Sequence, residues 1–226
     1  MKRRIFTLVI IAILVAFASC EKEPSDKDNV TLTFSDEIII DLGSSDEDVL
    51  AFVSASDNST VSVSGINYNM PGEHMATFTT TGKVSEKKAV KIKADKLAGT
   101  YYIAWYSMDD QKLTGGDNEA WKIKITAGDQ YNQIKIPSTI YSEQYTFFPD
   151  FNELVVSFDA KEGASIPDFR GKFAFMSTPA EANFSFTDIE FGLVDGKYAI
   201  QSFKMEAEEP GYTDFYYTAS FVKQKD

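Results

Sequence analysis

Side chains able to carry out covalent or metal chemistry are few in this chain. Cysteine and histidine occur once each, as Cys20 and His74. Zinc, iron and copper sites take several such ligands, so a single chain does not form one. His74 follows Pro-Gly-Glu, which predicts a solvated loop, and neither G-x-S-x-G nor G-x-x-x-x-G-K-[ST] occurs in the sequence. The sequence therefore predicts a protein that is not an enzyme.

Carboxylates are abundant, and one loop gathers enough oxygen ligands to be a candidate calcium site. Calcium favours carboxylates and amide oxygens on flexible loops, and Gly115-Gly116 permits a sharp turn there. The spacing differs from that of an EF-hand and Lys112 lies among the acids, so a plain polar loop is the alternative. No other cofactor is expected. The candidate ligands are Asp109, Asp110, Asp117, Asn118 and Glu119.

The segment Tyr101–Tyr106 carries the most informative aromatic pattern. Strand alternation predicts that Tyr101 and Trp105 face the core and that Tyr102 and Tyr106 face outward. Exposed aromatic side chains stack on the apolar face of a sugar ring or on a partner's side chain, and contiguous exposed apolar surface marks interaction sites. Tyr102 and Tyr106 are therefore candidate ligand-binding residues. The alternative is that a neighbouring part of the chain covers them.

A shift in aromatic composition divides the chain near Gly128. Both tryptophans precede this glycine, whereas most of the 18 phenylalanines follow it. The aromatic residues of the later segment either line an apolar cup for a ligand or form an ordinary aromatic core. They are Phe173, Phe175, Phe184, Phe186, Phe191, Phe203, Phe215, Tyr217 and Phe221.

The first twenty residues predict a targeting segment and a point of attachment to a membrane. A basic start, an apolar run over residues 5–17 and two small residues precede Cys20, which is the order of a secretory signal peptide. Phe17-Ala-Ser-Cys20 resembles the lipobox of bacterial lipoproteins, with Phe where Leu is usual. The resemblance implies cleavage after residue 19 and acylation of Cys20, for example by palmitate. Residues 20–29 are then the lipidated cysteine and an acid-rich tether, similar to that of surface-exported Bacteroidetes lipoproteins.

The negative net charge argues against nucleic acid as a partner. The chain has 34 acidic and 22 basic residues, a net charge of −12, and loss of the signal segment removes three of the basic ones. Such a surface repels nucleic acid, whose binding depends on cations that replace counterions along the phosphates. It also offers no basic patch for anionic lipid, so the expected membrane link is the acyl chains on Cys20.

Period-two alternation between turn clusters predicts an all-β fold. Residues 30–127 hold seven or eight short strands, one of them at Val49–Ala55, which favours an immunoglobulin-like β-sandwich. Leu97-Ala-Gly-Thr-Tyr101 resembles the L-x-G-x-Y motif of bacterial Ig-like domains, which implies that the tyrosine hydroxyl bonds back to the backbone. Residues 128–226 predict a second antiparallel β domain, a sandwich or small barrel, with a two-residue hairpin turn at Asp195-Gly196.

The layout of signal, lipidated cysteine, acidic tether, Ig-like module and β-rich module is similar to that of accessory lipoproteins of glycan-uptake systems. The resemblance implies an outward-facing, lipid-anchored protein of the outer membrane that binds polysaccharide without catalysis, with an outer-membrane transporter as a further candidate partner. One alternative is a structural or adhesive, fimbrillin-like subunit, although Arg170 is the only arginine after the signal. Another is a lipocalin-like carrier of an apolar ligand.

Overall fold

The computed structural model describes residues 30–117, 119–137, 153–175, 178–208 and 216–224. The predicted signal segment 1–19 and Cys20 lie outside these residues. Within them the chain forms one short α-helix and sixteen strands, which confirms the all-β prediction. The elements are β1 (Leu32–Phe34), β2 (Ile38–Asp41), α1 (Asp46–Leu50), β3 (Val53–Ala55), β4 (Val61–Ser64), β5 (Gly72–Thr80), β6 (Ser85–Lys93), β7 (Gly99–Tyr106), β8 (Lys112–Gly115), β9 (Lys122–Ala127), β10 (Gln133–Pro137), β11 (Glu153–Asp159), β12 (Gly163–Ser165), β13 (Phe169–Phe175), β14 (Thr178–Val194), β15 (Lys197–Glu208) and β16 (Tyr216–Lys223).

The strands form three sheets. A ten-stranded sheet has the order β12-β11-β10-β9-β7-β16-β15-β14-β13, and β8 pairs with β7 beside this path. A four-stranded sheet has the order β2-β6-β5-β4, and β1 pairs with β3. The pairs are antiparallel apart from β2 with β6, which is parallel. Short 3-10 helices at Asp95–Leu97 and Glu119–Trp121 precede β7 and β9 respectively.

Alternation along β6 illustrates how the sequence forms these sheets. Val90 and Ile92 are fully buried, whereas Lys91 and Lys93 point to the other face. The parallel neighbour β2 places Asp41 opposite Lys93, and the two side chains form an ion pair of 2.7 Å. The apolar side chains of this strand therefore pack into the core from one face, and its lysines lie at the surface on the other face, because successive side chains alternate between the two faces.

Helix α1 replaces the first part of the strand predicted at Val49–Ala55. Its N-cap is Ser45, whose backbone N–H donates to Asp48 Oδ2 at 2.8 Å in a capping box. Acidic residues in the first turn also favour a helix start, because they face the positive end of the helix dipole. The acidic run that precedes Val49 thus begins a helix, and only Val53–Ala55 forms the predicted strand.

Strands from both predicted segments share the large sheet. The boundary near Gly128 falls between β9 and β10, which pair through Ala127 with Ile134. β7 pairs with β16 over six residue pairs, from Tyr106 with Thr218 to Tyr101 with Lys223. The buried apolar residues of the described ranges likewise form one cluster that spans both segments. We therefore expect the two segments to unfold together.

Candidate functional site

Tyr102 and Tyr106 lie on the outer face of β7, as the alternation predicts. Both side chains are half-buried, whereas Tyr101, Ile103 and Trp105 on the opposite face are at most 1 % exposed. β7 is an interior strand of the large sheet, with β16 on one side and β8 and β9 on the other. The two candidate tyrosines therefore stand within a broad sheet face and not at its edge.

Tyr101 forms the backbone contact implied by the L-x-G-x-Y pattern. Its hydroxyl donates to the carbonyl of Leu97 at 2.5 Å and accepts from the backbone N–H of Ile200 at 3.4 Å. Burial raises the pKa of this hydroxyl to about 12. The single side chain thus joins the start of β7 to β15, which belongs to the other predicted segment.

A groove opens beside Tyr102 because β15 and β16 separate. Their register ends at the pair Ser202–Ser220, whereas β16 continues along β7 to the pair Lys223–Tyr101. The register of β14 with β15 also shifts around Glu190, at the level where the fork begins. Such β-bulges bend a strand and are common next to binding sites. The fork leaves an open groove of about 700 Å³ between these strands.

The groove combines hydrogen-bonding groups with apolar surface. Ser202 Oγ donates to Glu190 Oε2 at 3.1 Å on its floor. Val194 and Val222 also line it and are 42% and 63% exposed, unusually open for valine. The polar side chains that line the groove include Glu190, Asp195, Lys197, Gln201, Ser202 and Ser220.

The rim of the groove is the β14–β15 hairpin, and its predicted turn is confirmed. Val194 pairs with Lys197 across the two-residue turn Asp195-Gly196, whose φ angles are 49° and 81°. Positive φ at both positions is the requirement that makes Asp-Gly favourable there.

Lys223 links β16 to β15 across the fork. Its Nζ donates to the backbone carbonyls of Lys96 at 2.7 Å and Tyr198 at 2.9 Å. The ammonium also lies 5.7 Å from the centre of the Tyr101 ring, a cation–π distance. β16 and β15 are therefore held together across the groove by a side chain after their strand pairing has ended.

The described residues of the candidate calcium loop do not converge. Strand β8 runs through the loop and pairs with β7, and Lys122 Nζ is 3.1 Å from the Glu119 carboxylate. Asn118 lies outside the described residues. In the described part of the chain, no group of three or more histidine, cysteine and acidic side chains is placed to hold a metal ion. Calcium binding by Asp109, Asp110, Asp117, Asn118 and Glu119 stays a prediction.

The prediction that His74 lies in a solvated loop is wrong. His74 belongs to β5 and is 6% exposed. Its Nε2 is 2.9 Å from the carbonyl of Met70, and its Nδ1 is 3.4 Å from the backbone N of Asn67. With the proton on Nε2, the ring donates to the first group and accepts from the second. These two contacts link the 65–71 loop to β5. The prediction failed because β5 already begins at Gly72, within the segment that Pro-Gly marks as a loop.

Replacement of His74 by leucine is expected to lower the free energy of unfolding by about 1–2 kcal/mol, because two backbone groups lose their partner. Urea denaturation followed by circular dichroism measures this loss. Met75→Leu is the matched control, since Met75 is the next residue and is 55% exposed. Unchanged stability with a loss of ligand binding would instead assign His74 to a site.

The aromatic residues of the later segment pack mainly against one another. Phe203 is 1% exposed and has ring contacts with Trp105, Phe186 and Phe221 at 5.4–5.8 Å. Of the predicted cup residues, Phe221 lines the groove. Phe215 lies outside the described residues, as do the side chains of Phe173 and Phe175. These contacts are those of an aromatic core.

The sequence predicts the outward direction of Tyr102 but not the groove beside it. Glu190, Ser202 and Ser220 lie in the segment predicted to form antiparallel strands, yet their convergence depends on the β14 bulge and on the pairing of β16 with β7. The one sequence signal for this region is the Asp195-Gly196 turn, which locates the rim.

No protein-family model matches the chain, and no curated protein is significantly similar to it. Among the described residues, no helix has the length and apolar composition needed to cross a membrane.

Proposed function

We propose that this protein is attached to the outer membrane by lipid on Cys20, faces outward, and binds a polysaccharide without altering it chemically. The attachment is supported by the basic start, the apolar run and the small residues before Cys20, followed by the acid-rich tether. The binding function is supported by one observation above all, the groove at the fork of β15 and β16 beside Tyr102.

The size and chemistry of the groove suit a sugar ligand. Ligand sites in proteins commonly measure about 300–1,000 Å³ and combine apolar surface with a few polar groups. Carboxylate, amide and hydroxyl groups such as Glu190, Gln201 and Ser220 exchange hydrogen bonds with sugar hydroxyls. Tyr102 is the strand partner of Val222, so an aromatic ring adjoins the apolar wall of the groove.

The contacts of two polar groups support the non-catalytic part of the proposal. His74 is buried and bonded to backbone groups, away from the surface where a ligand would bind. Glu190 is bound to the neutral hydroxyl of Ser202, an arrangement suited to holding a hydroxyl-rich ligand.

Tyr102→Ala is expected to weaken polysaccharide binding roughly tenfold, as for a central aromatic contact in a binding site. The measurement is titration calorimetry of residues 21–226, which contain every described element, with a panel of purified polysaccharides in the presence and absence of calcium. Met75→Ala is the matched control, because Met75 is an exposed apolar residue on β5 of the other sheet. Its affinity is expected to equal that of the unmodified chain.

Different experimental results would support each alternative function. Absence of binding across the panel contradicts the proposal. Filaments of the purified protein in electron micrographs would then favour the structural or adhesive subunit. Saturable binding of an apolar dye or fatty acid would favour the carrier.

A further inference from the structure

A row of small residues crosses the outer face of the large sheet. Strand registers place Gly115 opposite Ala104, Ala104 opposite Ser220, and Ser220 opposite Ser202. Glu190 is the partner of Ser202 and ends the row on β14. The row thus spans five neighbouring strands, roughly 19 Å at the usual spacing between strands.

Larger side chains flank this row on both sides. On one side Tyr102 is paired with Val222, and on the other Tyr106 is paired with Thr218, which is in turn paired with Lys204. Tyr102 and Tyr106 are four residues apart on one strand, so their Cα atoms are separated by about 14 Å. The small residues are therefore the floor of a cross-strand trough, and the two tyrosines stand on its opposite walls. The far end of the trough merges with the groove at Glu190, Ser202 and Ser220.

Gly115 keeps the other end of the trough open. Its φ is +102°, and a Cβ added there would lie 2.3 Å from the carbonyl oxygen of Ile103 and 2.4 Å from the Cα of Ala104. Both clashes involve backbone atoms, so neither is relieved by rotation of a side chain. The approach of β8 to β7 therefore requires glycine, and glycine leaves the floor without a side chain.

The charges around the trough favour an uncharged ligand. Two lysines beside the trough have carboxylate partners, since Lys122 lies 3.1 Å from Glu119 and Lys204 lies 2.7 Å from Asp188. In the groove, Lys197 and Lys223 are matched in number by Glu190 and Asp195. Glu190 adds a negative charge to the floor, and the whole chain carries −12. These residues offer an anionic polymer no excess of positive charge, and the net charge of the chain repels it, whereas a neutral polyol can donate hydrogen bonds to the Glu190 carboxylate and the serine hydroxyls.

We propose that the trough binds an extended, uncharged polysaccharide chain that runs across the strands, with successive sugar rings between Tyr102 and Tyr106. This inference rests on the proposed polysaccharide-binding function and adds the shape, the direction and the charge class of the ligand. A chain bound in this way makes contacts along the whole row, so affinity grows with chain length until the trough is filled.

The test uses residues 21–226 and neutral gluco-, manno- and xylo-oligosaccharide series from the monosaccharide to the heptasaccharide, with polygalacturonate as the anionic probe. Calorimetric affinity is expected to rise with length in one neutral series and then to reach a plateau, with little dependence on salt. Ser220→Tyr places a large ring on the floor and is expected to weaken binding roughly tenfold or more. Ser64→Tyr, the same change at an exposed position of β4, is the control for general effects of an added tyrosine.

The outcomes separate this inference from the proposed function. If a monosaccharide binds as tightly as the longer oligomers, or if Ser220→Tyr binds them unchanged, a glycan site exists but the trough is not that site. Preference for polygalacturonate overturns the neutral ligand. Absence of binding to every glycan overturns both proposals. Equal thermal stability of the two tyrosine variants shows that the loss in Ser220→Tyr arises at the site.

Discussion

Trp105→Ala is expected to lower the free energy of unfolding by about 3–5 kcal/mol, the usual cost of removing a large buried aromatic side chain. Trp105 is fully buried near the end of β7, and its ring meets Phe203 edge to face at 5.8 Å. Its strand partner Ala219 is also fully buried, so no neighbouring large side chain stands opposite to fill the space. A loss of this size is a large share of the stability of a typical domain.

Urea denaturation of the variant also tests whether the two predicted segments are separate units. Trp121 is then the sole tryptophan and reports on residues 30–127, whereas circular dichroism reports on the strands of both segments. The shared sheet predicts that the two signals change at one urea concentration. Two separate transitions would support independent domains divided near Gly128. Trp121→Ala is the matched control. It is expected to lower the free energy of unfolding by less than Trp105→Ala does, because Trp121 is only partly buried.

Tyr101→Phe is expected to lower the free energy of unfolding by about 1–3 kcal/mol, since it removes a hydroxyl and leaves buried backbone groups without their partner. Those groups are the carbonyl of Leu97 and the N–H of Ile200. Denaturant titration at neutral pH measures the loss. Ile103→Val is a suitable control, because it also trims a buried side chain of β7, by one methylene, but retains the hydroxyl.

The same hydroxyl predicts a specific alkaline dependence of stability. Burial raises the pKa of Tyr101 to about 12 from the ordinary value of 10.0. The neutral hydroxyl is therefore favoured in the folded state, so its contribution is fully present below about pH 10 and is lost as pH rises through about 12. Tyr68 and Tyr131, whose pKa values burial also raises, are present in both proteins and cancel in the difference. The stability difference between the unmodified chain and Tyr101→Phe should shrink over this interval, whereas the difference for Ile103→Val should stay constant.

Local patterns in the sequence were enough for several features of the fold. The outward direction of Tyr102 follows from alternation within one strand, and the Asp195-Gly196 turn follows from the φ preferences of two residues. The hydroxyl contact of Tyr101 with Leu97 is implied by the resemblance to the L-x-G-x-Y motif, and it spans only four positions. Each of these depends on residues close together in the chain, so the sequence alone carries the information.

The candidate site depends on contacts that no local pattern encodes. Ser220 and Ala104 become neighbours only because β16 pairs with β7, and the fork appears only because the pairing of β16 with β15 stops at Ser202. The bulge around Glu190 likewise reflects the fit of β14 to its partner and not a turn signal. The same reason explains the burial of His74, whose partners belong to a preceding loop that folds back on β5.

The central place of β16 has a consequence for when the protein can fold. β16 is the last of the described strands in sequence, yet it lies between β7 and β15, and Lys223 binds a carbonyl 127 positions earlier in the chain. Pairings between such distant segments form slowly, and until they form β7 and β15 each present an unpaired edge. A nascent chain in which β16 has not yet left the ribosome lacks this central strand, so the sheet is completed only after β16 has emerged.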